Sequence, residues 1–552
     1  MTADLPDPGR VDPRGTVAVV GGGVSGLVAA RRLAQAGCAV TLFESEPRLG
    51  GRIRSADHDG AAFDIGAEAF ATRGGTVSEL LAELGLEHEV VRPAALGSWL
   101  VTADRAVPLP PAGTLGIPAA PLSSASRRAL GLAGALRAAV EPLLPRGFGA
   151  RSGPGADAEA TVGSVVRRRL GSRVLDRLVR PVCLGVHSSD PERLALGSVP
   201  GLAAAFERTG SLIAAARELR GSQQAAGGAV AGLRGGMTVL IDALAAELDR
   251  LGVRVETGVL VESVSGEAGA TDPAGRESRE RRIAVRSAPD STSGATPEPD
   301  PDAVRETHRF DAVILAVPES AARAMLGAPD RAGAETLVEV VALVLDDPRL
   351  DAAPRGTGAL VARSAEADGG SGGSVHGASG SAGEPIRAKA LTHVTAKWAE
   401  RAREMGRGKH VLRLSYGRAG SPPETLQLDD TAARRLAVED ASRILGLRLA
   451  ERSVLASTRR TWTMGAPAGG RAADPEIIAP PGVVLAGDWV SGTGLASVIP
   501  GARAAAQDVI EHLRGAEPGA VAHDPAAQTP ETGAAGPDPS PRTQHRAESR
   551  VA

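Results

Sequence analysis

Gly21-Gly22-Gly23-Val24-Ser25-Gly26 constrains this chain more than any other stretch. It follows Thr16–Val20, a short β-branched run that reads as a buried parallel strand. It opens Val24–Ala36, which has helical composition and stops at Gly37. Ala39–Phe43 reads as a second buried strand, and Glu44 stands at its end, 18 residues after Gly26. A strand–helix–strand unit of about 30 residues around such a loop is a dinucleotide-binding signature. Gly21 permits the tight turn, Gly23 lets backbone approach a pyrophosphate, and Gly26 lets the helix pack closely on the strand. Gly22, Val24 and Ser25 complete a loop whose N–H groups and helix-end partial charge suit phosphates. Glu44, with Ser45 beside it, is placed to accept hydrogen bonds from a ribose diol, and an acid there disfavours an added 2′-phosphate.

A chain of 552 residues is too long for one core, so two or three domains are expected. A net charge of −3 gives no nucleic-acid footprint. Cys38 and Cys183 are the two cysteines, too few for a disulfide framework, and no Cys/His cluster suggests a metal. Met1–Gly15 lacks the apolar core of a signal peptide, and no run of about 18 apolar residues could span a membrane. A soluble protein in the cytoplasm is therefore expected. Four stretches read as loops or disorder: Arg146–Glu159, Glu267–Glu306 (broken by Arg282–Arg286), Ser364–Glu384 and the tail from Gly515. Leu122–Leu144 and Val162–Leu184 have helical patterning. The second carries Arg167, Arg168, Arg169, Arg173, Arg177 and Arg180, which read as a solvated face or as a dock for an anionic membrane or a carboxylate-rich substrate. Gly482–Ala486 is a further apolar strand, Gly487–Gly494 a loop and Val498–Leu513 a helix. The first domain is thus built from distant pieces.

Later motifs resemble the flavin amine oxidase superfamily. Arg48-Leu49-Gly50-Gly51-Arg52 is similar to its glycine–arginine motif, whose arginine reaches the cofactor phosphates. Phe63-Asp64-Ile65-Gly66-Ala67 resembles the backbone loop beside the flavin. Val253–Val264 resembles the strand pair over the adenine, with Val261 in contact, and Phe310–Pro318 the strand that follows. Gly487-Asp488 resembles the C-terminal motif, where the acid meets the ribityl and pyrophosphate region and Gly494, Leu495 and Ala496 line the flavin. Trp462 matches a family tryptophan and is taken as a cofactor contact. The resemblance implies FAD as cofactor.

Intervening segments resemble the porphyrinogen oxidases, in their bacterial soluble branch. These are Pro108-Leu109-Pro110, Leu115-Gly116-Ile117-Pro118, Arg180–His187 with Asp190–Leu196, Gly232–Met237 and Thr392 through Lys397-Trp398. Three positions depart from the family: Ala399-Glu400 replaces Pro-His, Ala466–Gly469 replaces Met-Pro-Gln-Tyr, and Ala502 replaces a glycine. The resemblance implies an α/β fold: a Rossmann-like FAD-binding domain of discontinuous segments, an α+β substrate domain and a helical subdomain. The expected division is a disordered 1–15; FAD-binding segments 16–91, 226–320 (with a disordered insertion at 267–306) and 481–514; a helical, substrate-binding 92–225; a substrate domain 321–480 with a flexible 364–384; and a disordered tail 515–552.

The implied reaction takes hydride from a porphyrinogen to the flavin, loses a pyrrole proton, and returns electrons to molecular oxygen as hydrogen peroxide. The substrate is coproporphyrinogen III, with protoporphyrinogen IX as the alternative. Catalytic residues are not identified by the motifs; His393 is the one imidazole candidate for a base. Arg73, Lys397, Trp398, Arg413 and Arg418 are candidate substrate contacts, the three arginines as propionate partners; Lys397 and Trp398 rest on the family motif and could equally be structural. Other readings are an amine oxidase or carotenoid desaturase on the same fold, and a non-catalytic flavin-stabilised porphyrin carrier. Only one tyrosine, Tyr416, is present to build an amine oxidase's aromatic cage. Peripheral membrane contact, and monomer against homodimer, stay open.

Overall fold

A computed structural model describes residues 14–72, 74–102, 105–110, 114–149, 160–187, 190–199, 201–221, 230–266, 283–289, 306–331, 335–362, 385–465 and 477–516. Arg73, Ser364–Glu384 and Ala466–Gly469 therefore lie outside the described residues.

Five parallel strands form the nucleotide sheet, in the order Arg254–Thr257, Ala39–Glu44, Thr16–Val20, Ala312–Leu315, Val483–Leu485. Thr16–Val20 is central and nearly all buried, which suits its β-branched run. Strand order reverses beside it, so its C-terminal end is the switch point where such sheets bind ligands. Three helices, Val24–Gln35, Thr238–Arg250 and Leu495–Ala516, pack on one face around Leu27, Leu240 and Val509. The other face carries an antiparallel sheet of Val259–Gly266, Ile283–Pro289 and Glu306–Phe310. Ile283–Pro289 corrects the expectation of disorder across 267–306. Ile283, Val285 and Ser287 alternate inward on a period of two, so this short piece buries enough to be a strand. Its flanks, 267–282 and 290–305, lie outside the described residues.

The second sheet has seven strands, in the order Val454–Gly465, Glu335–Asp346, Lys409–Tyr416, Ala390–His393, Gly358–Val361, Trp99–Val101, Ala106–Pro108. Its last two strands come from the stretch assigned by sequence to the helical unit. They pair onto the edge at Gly358–Val361. The helix Asp430–Leu445 covers one face through Leu412, Leu414 and Ile444. The opposite face meets the nucleotide unit through Val411, Val344, Phe63 and Ile65.

Residues 114–221 form the helical unit. Gly131 breaks the first helical stretch at φ 73°, and Gly171 breaks the second at φ 93°. The arginine run is not one solvated face. Arg167, Arg168 and Arg173 are exposed, but Arg169 is fully buried. It pairs with the equally buried Glu141 at 2.6 Å and donates to the carbonyls of Pro145, Phe148 and Gly210. Arg180 turns inward to Asp190 at 3.0 Å. Helical spacing shows which arginines share a face, but not which face another helix covers.

The final helix starts at Leu495, earlier than its pattern suggested, and contains Pro500. Proline has no N–H to donate four residues back, so the Ala496 carbonyl loses its helical donor. The Thr76 hydroxyl donates to it at 3.3 Å. The preceding loop is itself one helical turn, Asp488–Ser491.

Candidate flavin site

The glycine loop sits at the switch point, and each glycine answers a different contact. A Cβ on Gly21, whose φ is +104°, would stand 2.5 Å from the Ala316 carbonyl oxygen. A Cβ on Gly26 would stand 1.8 Å from the Gly21 oxygen. Both are needed for the chain to pack. Gly23 differs: a Cβ there meets nothing within 4 Å. Nothing in the fold requires that space to be kept, but a phosphate approaching the backbone does.

The surroundings fit an anion. The helix from Val24 has Gly23 as its N-cap, no side-chain cap and no acid in its first turn. Its first N–H groups have no intrahelical acceptor by construction. The Ser25 hydroxyl is buried without a hydrogen-bond partner among the described residues. Gly50 and Gly51 close the loop's far side: Gly50 N–H donates to the Gly22 carbonyl at 2.8 Å, and Gly51 adopts φ +55° against Gly23. Glu44 is buried at the strand end. It accepts from Gly22 N–H at 2.6 Å and Glu46 N–H at 2.8 Å, holding the loop and retaining lone pairs for a diol. Ser45 Oγ lies 3.3 Å from the same carboxylate. These residues fit the nucleotide half of a flavin cofactor.

Three remote segments converge on this loop. Arg52 pairs with Asp488 at 2.8 Å and reaches Met464 Sδ at 3.0 Å. Along Val454–Gly465, Arg460 pairs with Glu46, and Trp462 lies on the same strand face between those two contacts with the nucleotide unit. Gly487 has φ +125°, and Gly494, at +87°, opens the last helix onto free space. Leu495 and Ala496 pack partly buried behind it. Val261 is buried under the sheet with Phe43 and Phe310.

The loop Ile65-Gly66-Ala67 is fixed from below. Gly66 admits no side chain, because a Cβ would stand 2.0 Å from the Arg52 oxygen. Arg413 donates to the carbonyls of Gly66 at 2.5 Å and Ile65 at 3.3 Å, and to Glu68 at 2.8 Å. Lys397 also pairs with Glu68 and lies 5.1 Å over the Trp398 ring. Trp398 is buried against Gly232, where a Cβ would meet the ring at 2.9 Å. Burial raises the Glu68 carboxyl, but Lys397 and Arg413 more than offset it and hold it below the usual range. Neighbouring Asp64 accepts from Met237 N–H at 3.0 Å, and burial pushes it up to about 7, against the opposing pull of Arg413. Motif reading passed over Glu68. The available signal was that Lys397 and Arg413, if buried, require an acid near them.

Arg413 and Lys397 are thus internal ion-pair partners of Glu68, beneath the Ile65–Ala67 loop. Arg418 does not join it: it pairs with Glu424 at 2.7 Å and donates to the Arg387 carbonyl. His393 is also elsewhere. Thr392 pairs in register with Arg413, whereas His393 pairs with Leu412 and so faces the helix Asp430–Leu445, away from the flavin side. It shares a 3.1 Å hydrogen bond with His410, which reaches Asp351. Burial, with a smaller push from His410, drives His393 down to about 3. An imidazole so placed and so hard to protonate is no general base for this site.

That shift predicts a pH dependence. The folded value lies below the ordinary 6.5, so the unfolded chain binds the proton first. The histidine's stabilising contribution is complete above 6.5 and is lost as pH falls toward 3, at up to about 1.4 kcal/mol per pH unit. Urea unfolding at a series of pH values should show this slope, and His393→Leu should flatten it.

Fold and cradle together define a nucleotide-binding oxidoreductase scaffold, and known proteins specify the kind. A family model described as flavin containing amine oxidoreductase matches residues 24–510. Coproporphyrinogen III oxidase of Mycobacterium tuberculosis is 30% identical over 513 residues, covering 90% of this chain and 97% of that one. Coproporphyrinogen III oxidase of Bacillus subtilis is 25% identical over 528 residues, covering 91% and 99%. A crystal structure from Exiguobacterium sp. 255-15 matches with TM-score 0.70 at 21% identity, covering 91% of this chain and 100% of that one. Cyclohexylamine oxidase of Brevibacterium oxydans matches with TM-score 0.52 at 14% identity, covering 91% and 100%, a likeness of fold alone. The protein is a flavin-dependent oxidoreductase. It belongs to the flavin containing amine oxidoreductase family, in the group that holds the porphyrinogen oxidases.

Proposed function

We propose that this protein binds FAD and oxidises coproporphyrinogen III to coproporphyrin III, with molecular oxygen as acceptor and hydrogen peroxide as product. One observation carries the reading: a chain similar over nearly its whole length to coproporphyrinogen III oxidases has kept an open, uncapped nucleotide cradle at Gly23. FAD, when bound, supplies hydride acceptance and the return of electrons to oxygen. The loop and the N-terminus of the Val24 helix would hold its pyrophosphate, and Glu44 would hold the adenosine ribose. Arg52 and Asp488 tie the cradle to the helical turn that precedes the last helix. The Glu68–Lys397–Arg413 cluster holds the Ile65–Ala67 backbone rigid, and that backbone would support the flavin ring.

An amine oxidase reading has little to build with. The sole tyrosine, Tyr416, is buried on the sheet face turned from the flavin, packed with the core under the helix Asp430–Leu445. Two plant protoporphyrinogen oxidases, of Nicotiana tabacum and Arabidopsis thaliana, match 36% and 44% of the chain. The purified yellow protein should convert coproporphyrinogen III to its fluorescent porphyrin in air, with matching peroxide. It should turn over protoporphyrinogen IX more slowly. A flavin-loaded sample inert toward both rejects the proposal.

A further inference from the structure

A narrow cleft reaches in beside the Ile65–Ala67 loop. Asp64, Glu68 and Trp398 line its inner part, and the partly exposed Val91 and Glu400 stand at its rim. The room it leaves for solvent is about 10 Å³, the measure of a single water rather than of a ligand.

Two buried groups meet there with hydrogen-bonding capacity to spare. Arg401 is 6% exposed, and its Nη1 donates to the Ala62 carbonyl at 2.5 Å and to Glu404. Its Nη2 is buried and has no partner among the described residues. Asp64 is 8% exposed, and the Met237 N–H donates to its two oxygens at 3.0 and 3.2 Å. A carboxylate has about four lone-pair sites, so one N–H leaves most of them open. An arginine N–H in want of an acceptor and a carboxylate in want of donors line one water-sized space. A bridging water satisfies both.

Charge reaches Asp64 from several elements. Arg413 acts on it from Lys409–Tyr416, Glu68 from the loop that follows, and Arg401 from Ala399–Met405. Lys397, on the preceding turn, is engaged by Glu68. On the strand Ser55–His58 its register partner is the uncharged Ser55, and Met237 is the N-cap of Thr238–Arg250. Burial outweighs both arginines, so Asp64 changes charge at about 7, while Glu68 is held below its usual range. Glu400, where the porphyrinogen oxidase pattern has histidine, sets a further carboxylate at the rim.

We propose that Asp64 is a proton-exchanging group beneath the flavin loop, served by a water that Arg401 holds in this cleft, and that it takes up a proton when the bound cofactor gains negative charge. The proton comes from bulk solvent, adds to a carboxylate oxygen, and returns by the same path when the cofactor is reoxidised. Asp64 directly precedes the backbone that would support the flavin ring, so it lies where charge on the ring is felt. The inference rests on the flavin-binding part of the proposed function and not on the substrate.

Reduction of the flavin-loaded full chain by light, against redox dyes at a series of pH values across neutrality, tests it without substrate. Asp64→Asn keeps a carbonyl for the Met237 N–H and cannot ionise. Above neutrality the parent's reduction potential should fall more steeply with pH than that of Asp64→Asn, the mark of an added proton bound on reduction. Arg401→Met should move that break to higher pH, because it removes a cation that favours the ionised acid. Val91→Phe, which narrows the rim, should leave the break in place and slow the flavin's absorbance response to a pH jump several-fold. Parallel profiles for the parent and Asp64→Asn overturn the proposal, as does a break that Arg401→Met leaves unmoved. Where Asp64→Asn loses flavin, urea unfolding of the cofactor-free chains decides. The folded value lies above the ordinary 3.8, so the acid's stabilising contribution is lost as pH rises toward about 7. Asp64→Asn should lack that decline, and equal profiles overturn the proposal. A chain inert toward porphyrinogens but with these profiles intact rejects the substrate reading and supports this one.

Discussion

Gly23→Val should yield a protein that folds normally and purifies without colour. The backbone at Gly23 has φ −74° and ψ 177°, which any residue adopts, and an added Cβ meets nothing within 4 Å. Stability should change by less than about 1 kcal/mol, the range for a helix N-cap altered without a clash. The valine methyls would stand where the pyrophosphate must touch backbone. Overpacking a close contact by that much costs about 3 kcal/mol, a weakening of roughly a hundredfold in cofactor binding. Absorbance in the flavin bands and titration with added FAD read the effect, and thermal melting of the cofactor-free parent provides the comparison. Gly26→Ala is the contrasting variant. Its Cβ would sit 1.8 Å from a carbonyl oxygen, so it should fail to fold before flavin is in question. Retention of flavin by Gly23→Val at parental affinity would remove the loop from the cofactor site.

Glu68→Ala should cost both stability and flavin retention. It leaves Lys397 and Arg413, both mostly buried, without the carboxylate that pairs with both of them. Removing one partner of such a group costs about 3–5 kcal/mol. It should also loosen the flavin, because Arg413 holds the Ile65 and Gly66 carbonyls only while Glu68 orients it. Denaturant midpoints and flavin dissociation rates measure the two effects separately. Adding Lys397→Met to Glu68→Ala should recover part of the stability by removing one stranded charge. A double variant no more stable than the single one would show that the charges are not coupled.

The nucleotide half of the site was legible in the sequence for a physical reason. Its loop, helix start and acid are joined by short-range geometry: a turn, one helix and one strand separate Gly21 from Glu44. The ion-pair cluster under the Ile65–Ala67 loop was not legible in that way. Lys397 and Arg413 lie more than 300 residues from Glu68 along the chain. Nothing local distinguishes a buried arginine from a solvated one, which is also why Arg169 looked like part of a surface face. His393 failed by parity: one step along a strand moves a side chain to the other face, so it and Thr392 point opposite ways. Within 267–306, low hydrophobic content concealed the strand Ile283–Pro289, whose three inward residues are few but correctly alternated.

The order in which the parallel strands lie has a consequence for biogenesis. Neighbours in that sheet begin at positions 254, 39, 16, 312 and 483, and the helix that finishes the cradle ends at 516. Contacts separated by so much chain form late and slowly, since each loop must close against its own entropy. A nascent polypeptide on the ribosome therefore displays its phosphate loop long before the rest of the pocket exists. Capture of the cofactor waits until the helix ending at 516 has packed onto the sheet.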